Sequence, residues 1–275
     1  MNNLNNLRDI HPKAQIGKNV TIGSFTVIEE DVVIGDNCVI GSNVNILNGA
    51  RLGEKCHIFP GAVLSAIPQD LKYRGENTTL ELGNGVIVRE CCTLNRGTTD
   101  QMKTAIGDNC LVMAYVHVAH DCIIGNNCIL ANNVTLAGHI NIDDYARLGG
   151  MVAVHQFVRI GKNVMIGGGS LVRRDVPPYV MAAREPLSYA GINRVGLRRA
   201  NFDRETIHHI EDIYRILFVY GHTTSKALSI IEQEIPASPF RDEIVHFVRE
   251  AKRGVMKGFR SLNGTGRVAE SLLDE

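Results

Sequence analysis

The segment His117-Val118-Ala119-His120-Asp121 sets two imidazoles and a carboxylate side by side, and His139 and His155-Gln156 follow downstream. These residue types serve two chemistries. A neutral imidazole takes a proton from a hydroxyl as general base, and an adjacent carboxylate orients the ring or stabilises the imidazolium. Three neutral imidazoles can instead hold a zinc ion with a fourth position open to water. On the first reading His120 is the base and Asp121 its partner. On the second, His117, His120 and His139 are the ligands of a metal-dependent hydratase. A non-catalytic scaffold is a third reading, which leaves the histidines without a purpose. His11 and His57 read as turn residues, and His208, His209, His222 and His246 as surface or packing residues.

The elements that must position these groups are written in a six-residue period. Of the 28 positions reached in steps of six from Ile10 to Val172, 25 hold Ile, Leu or Val. Neither a helix nor a half-buried strand has that period; a hexapeptide-repeat parallel β-helix does. Three hexads close one triangular coil, so residues 18 apart stack at about 4.8 Å. His120, Gly138 and Gln156 then share one column, and Asp121 and His139 share the next. A Gly138 backbone N–H one coil from the His120 imidazole places an oxyanion donor beside a base. That is the arrangement acyl transfer requires.

The rest of the sequence bounds the setting. The chain has 275 residues and zero formal net charge, which points away from nucleic acid and other polyanions. The polar start Met1–Asn6 has no signal-peptide stretch, and no apolar run reaches the ~18 residues of a spanning helix. A cytoplasmic protein without stable membrane insertion is expected. Six cysteines (Cys38, Cys56, Cys92, Cys110, Cys122, Cys128) fall four residues after the aliphatic site, a slot for small inward side chains; only Cys91 lies outside it. Three repeat positions break the pattern, at Asp70, Glu76 and Asp100. Unpaired charges are too costly to bury, so loops are expected near 68–79 and 99–104. The β-helix should span 1–178, a connector 179–200 and an α-helical domain 201–275. Helices are expected from an Asp203 cap to about Tyr220, over Ser225–Glu234 and over Pro239–Met256, with a short one near Val268–Leu273. Arg194, Arg198, Arg199 and Arg204 precede the first of these, and Arg249, Lys252, Arg253, Lys257 and Arg260 crowd the last. They read either as a solvated face or as a site for phosphate or an anionic partner.

The sequence resembles the acyl-carrier-protein–UDP-N-acetylglucosamine O-acyltransferases of lipid A synthesis along nearly its whole length. The resemblance rests on Gln69-Asp70-Leu71-Lys72-Tyr73, His117 to Cys122, Cys128 to Asn133, Leu136-Ala137-Gly138-His139, Gly149 to Phe157, Asp175 to Tyr179 and Gly196-Leu197-Arg198-Arg199. It implies a left-handed β-helix, a homotrimer with sites between subunits, and no cofactor beyond the phosphopantetheine of the acyl carrier protein. By the same resemblance, His120 is the base for the sugar 3-hydroxyl, Asp121 its partner and the Gly138 amide the oxyanion donor. Gln69, Asp70 and Lys72 would touch sugar and donor. His117, His139, His155, Gln156, Asn193 and Arg199 would complete the substrate contacts, with Arg198 supporting Arg199. Gly168 matches the position that limits acyl length. The chain departs from the family at Asn95, where a histidine is familiar, and at Ala200, where a second arginine is common. A related N-acyltransferase carries a uridine-binding domain ahead of its β-helix; here the repeat begins by residue 10, which favours O-acylation.

Overall fold

The computed structural model describes residues 7–258. Met1–Asn6, Arg260 and the segment containing Val268–Leu273 lie outside them. Along the repeat, each aliphatic site ends a short strand and points inward, and the chain turns at the Gly, Asn or Asp behind it. The result is a left-handed parallel β-helix with three sheets. Ile28, Ile46, Leu64, Leu94, Val118, Leu136 and Val154 pile up along the first sheet, all buried. Each contributes about 1.5–3 kcal/mol on leaving water. The six cysteines in the inward slot are buried and unbridged, whereas Cys91 is exposed. Asn19, Asn37, Asn109, Asn127 and Asn163 take φ between 54° and 60° at corners, where asparagine is among the few side chains that settle readily.

Registered pairs fall 18 residues apart along most of the prism, as in Asp9 with Val27 and His117 with Thr135. Val63 pairs instead with Thr93, 30 residues on, and Thr93 with His117, 24 on. The excess is two hexads and then one, so the aliphatic phase survives both interruptions. Asp70, Glu76 and Asp100 stand in these insertions, turned out of the core. The second loop ends earlier than the expected 104: Lys103–Ile106 is a strand, and Thr104 is fully buried. Its hydroxyl has a backbone partner, which is what lets a polar residue lie inside.

The β structure outlasts the repeat. Met181–Ala182 pairs with Met165–Ile166 at a spacing of 16, and Ser188–Ile192 returns antiparallel as a hairpin. The stretch 179–200, expected as a connector, also extends the third sheet; the change of spacing hides this from a six-residue count. It also holds helix α1 (Arg194–Arg199). Helix α2 (Arg204–Tyr214), capped by Asp203, runs on into a π-helical turn over Arg215–Val219, and α3 covers Thr224–Glu234. Helix α4 (Pro239–Arg249) stops short of Met256. The chain instead turns at Gly254, with φ 67°, and Lys257–Gly258 pairs with Ser188–Tyr189. The Tyr214 hydroxyl donates to the Pro178 carbonyl, and Arg159 joins Asp175 to the Phe247 carbonyl. The last coil is thereby covered instead of ending as an open sheet edge. No helix among the described residues is long and apolar enough to cross a membrane.

Candidate active site

His120 lies two residues beyond the strand His117–Val118, and Asp121 takes the left-handed corner position with φ 59°. Asp is one of the residues that tolerates this region. His120 Nδ1 lies 2.7 Å from Asp121 Oδ2, and both side chains are buried. The Thr98 hydroxyl donates to Oδ2 at 2.6 Å, and the amides of Thr98 and Gln101 donate to Oδ1 at 2.9 and 3.2 Å. Burial pushes the Asp121 carboxyl upward, but the hydrogen bonds from Thr98, His120 and Gln101 outweigh it and hold the group below its usual range. An ionised carboxylate facing Nδ1 puts the ring hydrogen there and leaves Nε2 as the acceptor. The Asp121 N–H itself donates to the Thr104 hydroxyl at 2.8 Å.

One coil on, Gly138 packs directly against the imidazole. A Cβ at this position would stand 2.6 Å from His120 Cε1 and 2.8 Å from Nε2, so a side chain would displace the ring. At the equivalent point of other hexads, the N–H of Lys18, Glu54, Asn84, Asp108 or Asn126 donates to an Asp or Asn of the next coil. Among the described residues no such side chain takes the Gly138 N–H. His139, with φ 62°, sets its ring edge-on to His120 at 4.9 Å and stacks on Phe157 at 4.5 Å. Its Nδ1 is 3.0 Å from Asp100 Oδ2 and 3.8 Å from Asp121 Oδ2.

The other candidates divide by place. His155 and the exposed Gln156 follow on the next coil of the same corner, with His155 Nδ1 3.2 Å from the Gln156 carbonyl. His117 is half-buried on its strand, its Nδ1 2.8 Å from the Thr93 hydroxyl; burial lowers its pKa. His120, Asp121 and His139 lie within 4.8 Å of one another, but His117 is not part of that group. The three-imidazole set therefore does not assemble. Gln69, Asp70 and Lys72 sit in the first insertion, where Asp70 Oδ1 accepts the Lys72 N–H at 2.9 Å. Asn193 caps α1, accepting the Gly196 N–H at 3.0 Å and donating to the Asn163 carbonyl at 2.9 Å. Arg198 and Arg199 are exposed in the last turn of α1, with no hydrogen bond or ion pair to the histidine cluster among the described residues. Gly168, also exposed, stacks over Gly150 in a neighbouring column.

The chain as a whole has clear relatives among known proteins. The bacterial transferase hexapeptide family matches residues 13–48, 31–66 and 103–138, and the second domain of the UDP-N-acetylglucosamine O-acyltransferases matches 175–256. An acyl-[acyl-carrier-protein]–UDP-N-acetylglucosamine O-acyltransferase of Aliarcobacter butzleri is 43% identical over 259 residues, covering 93% of this chain and 98% of that protein. The chain belongs to that O-acyltransferase family. A relative with the same name from Thiobacillus denitrificans is 39% identical over 90% of this chain and 96% of its own length. The crystal structure of a UDP-N-acetylglucosamine acyltransferase from Bacteroides fragilis superposes with a TM-score of 0.89 at 49% identity, covering 92% of this chain and 99% of that one.

Within this acyltransferase, the departure at Asn95 has a structural use. Its side chain is buried and its Nδ2 donates to the carbonyls of Ala66 at 3.3 Å and Ile67 at 3.0 Å, fastening the start of the first insertion. Sequence reasoning missed Thr98, Asp100, Gln101 and Thr104. They lie 17 to 23 residues before Asp121, or 39 before His139, outside the 18-residue columns. The one available signal was Asp100 at a core position.

Proposed function

We propose that this acyltransferase moves a (3R)-3-hydroxyacyl chain from acyl carrier protein to the 3-hydroxyl of UDP-N-acetylglucosamine, the first step of lipid A biosynthesis. The observation that carries the reading is the buried His120–Asp121 pair, at 2.7 Å, packed against a side-chain-free Gly138. His120 Nε2 removes the proton as the sugar oxygen attacks the thioester carbonyl. The tetrahedral oxyanion takes the Gly138 N–H, and collapse breaks the C–S bond; the imidazolium then returns its proton to the leaving thiolate. General-base help of this kind is worth roughly 10²–10⁴-fold. Asp121 stays ionised throughout and offsets the charge on the ring.

Direct transfer needs no acyl-enzyme, and the neighbouring groups favour it. The Cys122 thiol is deeply buried, is pushed up to about 12 by that burial, and donates to the Ala137 carbonyl. The Thr98 hydroxyl is committed to Asp121. A cation shared by His120, Asp121 and His139 is the competing reading, since their ligand atoms lie within 4.8 Å. It would compete with the hydrogen bonds that already occupy both Asp121 oxygens. We further assign His139, His155, Gln156, His117, Asn193, Arg198 and Arg199 to substrate contacts, Gln69, Asp70 and Lys72 to the sugar and donor, and Gly168 to the acyl groove. The working form is a cytoplasmic homotrimer whose partner is the acyl carrier protein. The test is turnover of 3-hydroxyacyl carrier protein with UDP-N-acetylglucosamine by the wild type and by His120→Ala. Wild-type turnover and a loss of at least about 10²-fold in the variant are expected. Near-normal turnover by His120→Ala removes the base, and stoichiometric zinc in the purified protein favours the cation reading.

A further inference from the structure

We propose that Asp100 is a positioning residue that fixes the tautomer of His139, so that one loop organises both histidines of the site. This inference rests on the reading of the His120 corner as an acyl-transfer site. The second insertion adds one hexad, and the loop it makes reaches both Asp121, the partner of His120, and His139. Thr98 and the Gln101 amide serve Asp121, while the Asp100 carboxylate between them lies 3.0 Å from His139 Nδ1. Asp100 is held in turn, its N–H donating to the Thr98 hydroxyl and its Oδ2 accepting the Gln101 amide group, both at 3.3 Å.

The two rings are thus presented alike. Each turns Nδ1 toward a carboxylate, which keeps the hydrogen on Nδ1 and leaves Nε2 bare. A bare Nε2 on His139 accepts a hydrogen bond from a hydroxyl or amide N–H of the substrate. The Phe157 ring stacked on one face and the His120 ring at the edge leave His139 little freedom to turn. The orientation is therefore set by packing, and the tautomer by Asp100. Because the Asp100 side chain is 57% exposed, the pair should add little to stability. Its effect belongs to the chemistry.

The test uses the full chain with histidine labelled in ¹⁵N, and compares wild type, Asp100→Ala and Asp100→Asn. Wild type should show His139 in the Nδ1–H form. Asp100→Ala should shift it toward Nε2–H and lower kcat about tenfold, within the cost of a misplaced group, with an unchanged melting temperature. Asp100→Asn keeps an oxygen acceptor and should retain the tautomer and most of the turnover. In a His139→Ala background, Asp100→Ala should have no further effect on kcat. Full turnover by Asp100→Ala, or loss of turnover with the tautomer unmoved, overturns the proposal. The NMR readout needs no substrate, so failure of the wild type to use UDP-N-acetylglucosamine would count against the functional reading alone.

Discussion

Asp121 is at once buried and charged, and its hydrogen bonds are what reconcile the two. Because its folded pKa is depressed, its ionisation stabilises the protein fully above the unfolded value of about 3.9 and that contribution is lost as pH falls through the lower folded value. Unfolding free energies measured from about pH 5 down to 2 should therefore fall more steeply for wild type than for Asp121→Asn. Parallel curves would mean that the fold does not lower the pKa of this carboxyl. Gly138 poses a different question, one of volume. Gly138→Ala puts a methyl 2.6 Å from His120 Cε1, and either the ring or the coil must move. A displacement near 1 Å costs roughly 10²-fold in rate, so kcat should drop by about that factor while circular dichroism stays that of the wild type. A variant with normal kcat would show that the ring has room the packing denies it.

Elements decide how such residues come to meet, and here the repeat was legible while the insertions were only half so. Aliphatic residues in an unbroken six-residue phase identify the prism, and the 18-residue column brings Gly138 to His120. The charged residues at Asp70, Glu76 and Asp100 mark where loops leave it. What the second loop does inside the site left no trace beyond the charge at Asp100, because two of its contacts to Asp121 come from backbone amides, which any residue supplies. The Asn193 cap and the hairpin after Pro178 were hidden for a related reason, lying past the last aliphatic hexad. The strand Lys103–Ile106 is the firm side of the loop, and Thr104 is its contact with the site. Thr104→Val keeps the shape but strands the buried Asp121 N–H, at a cost of about 1–3 kcal/mol. Urea unfolding should show a lower midpoint at an unchanged slope. An unaltered midpoint would mean water or a shifted backbone replaces the hydroxyl.

At the scale of the whole molecule, the prism that holds His120 leaves large apolar side chains uncovered. Phe157 stacks on His139 yet remains 53% exposed, and on the neighbouring edge of the prism Met151 and Tyr115 stand out at 70% and 62%. Exposed apolar groups of this size on two edges of one prism fit a surface covered by another copy of the chain. The exposed Arg198 and Arg199 make no hydrogen bond or ion pair with the histidine cluster of their own chain among the described residues. A trimer with sites between subunits would let His120 of one copy work with Arg199 of the next. That arrangement has a numerical consequence. If His120→Ala and Arg199→Ala are each inactive, a site in the mixed trimer is intact only where an Arg199→Ala copy supplies the histidine and a His120→Ala copy supplies the arginine. Random assembly of equal amounts makes each condition true half the time, so roughly a quarter of wild-type activity should return. Co-refolding the two variants and assaying the mixture measures it directly. If both residues serve from one copy, every site carries one lesion and no activity returns.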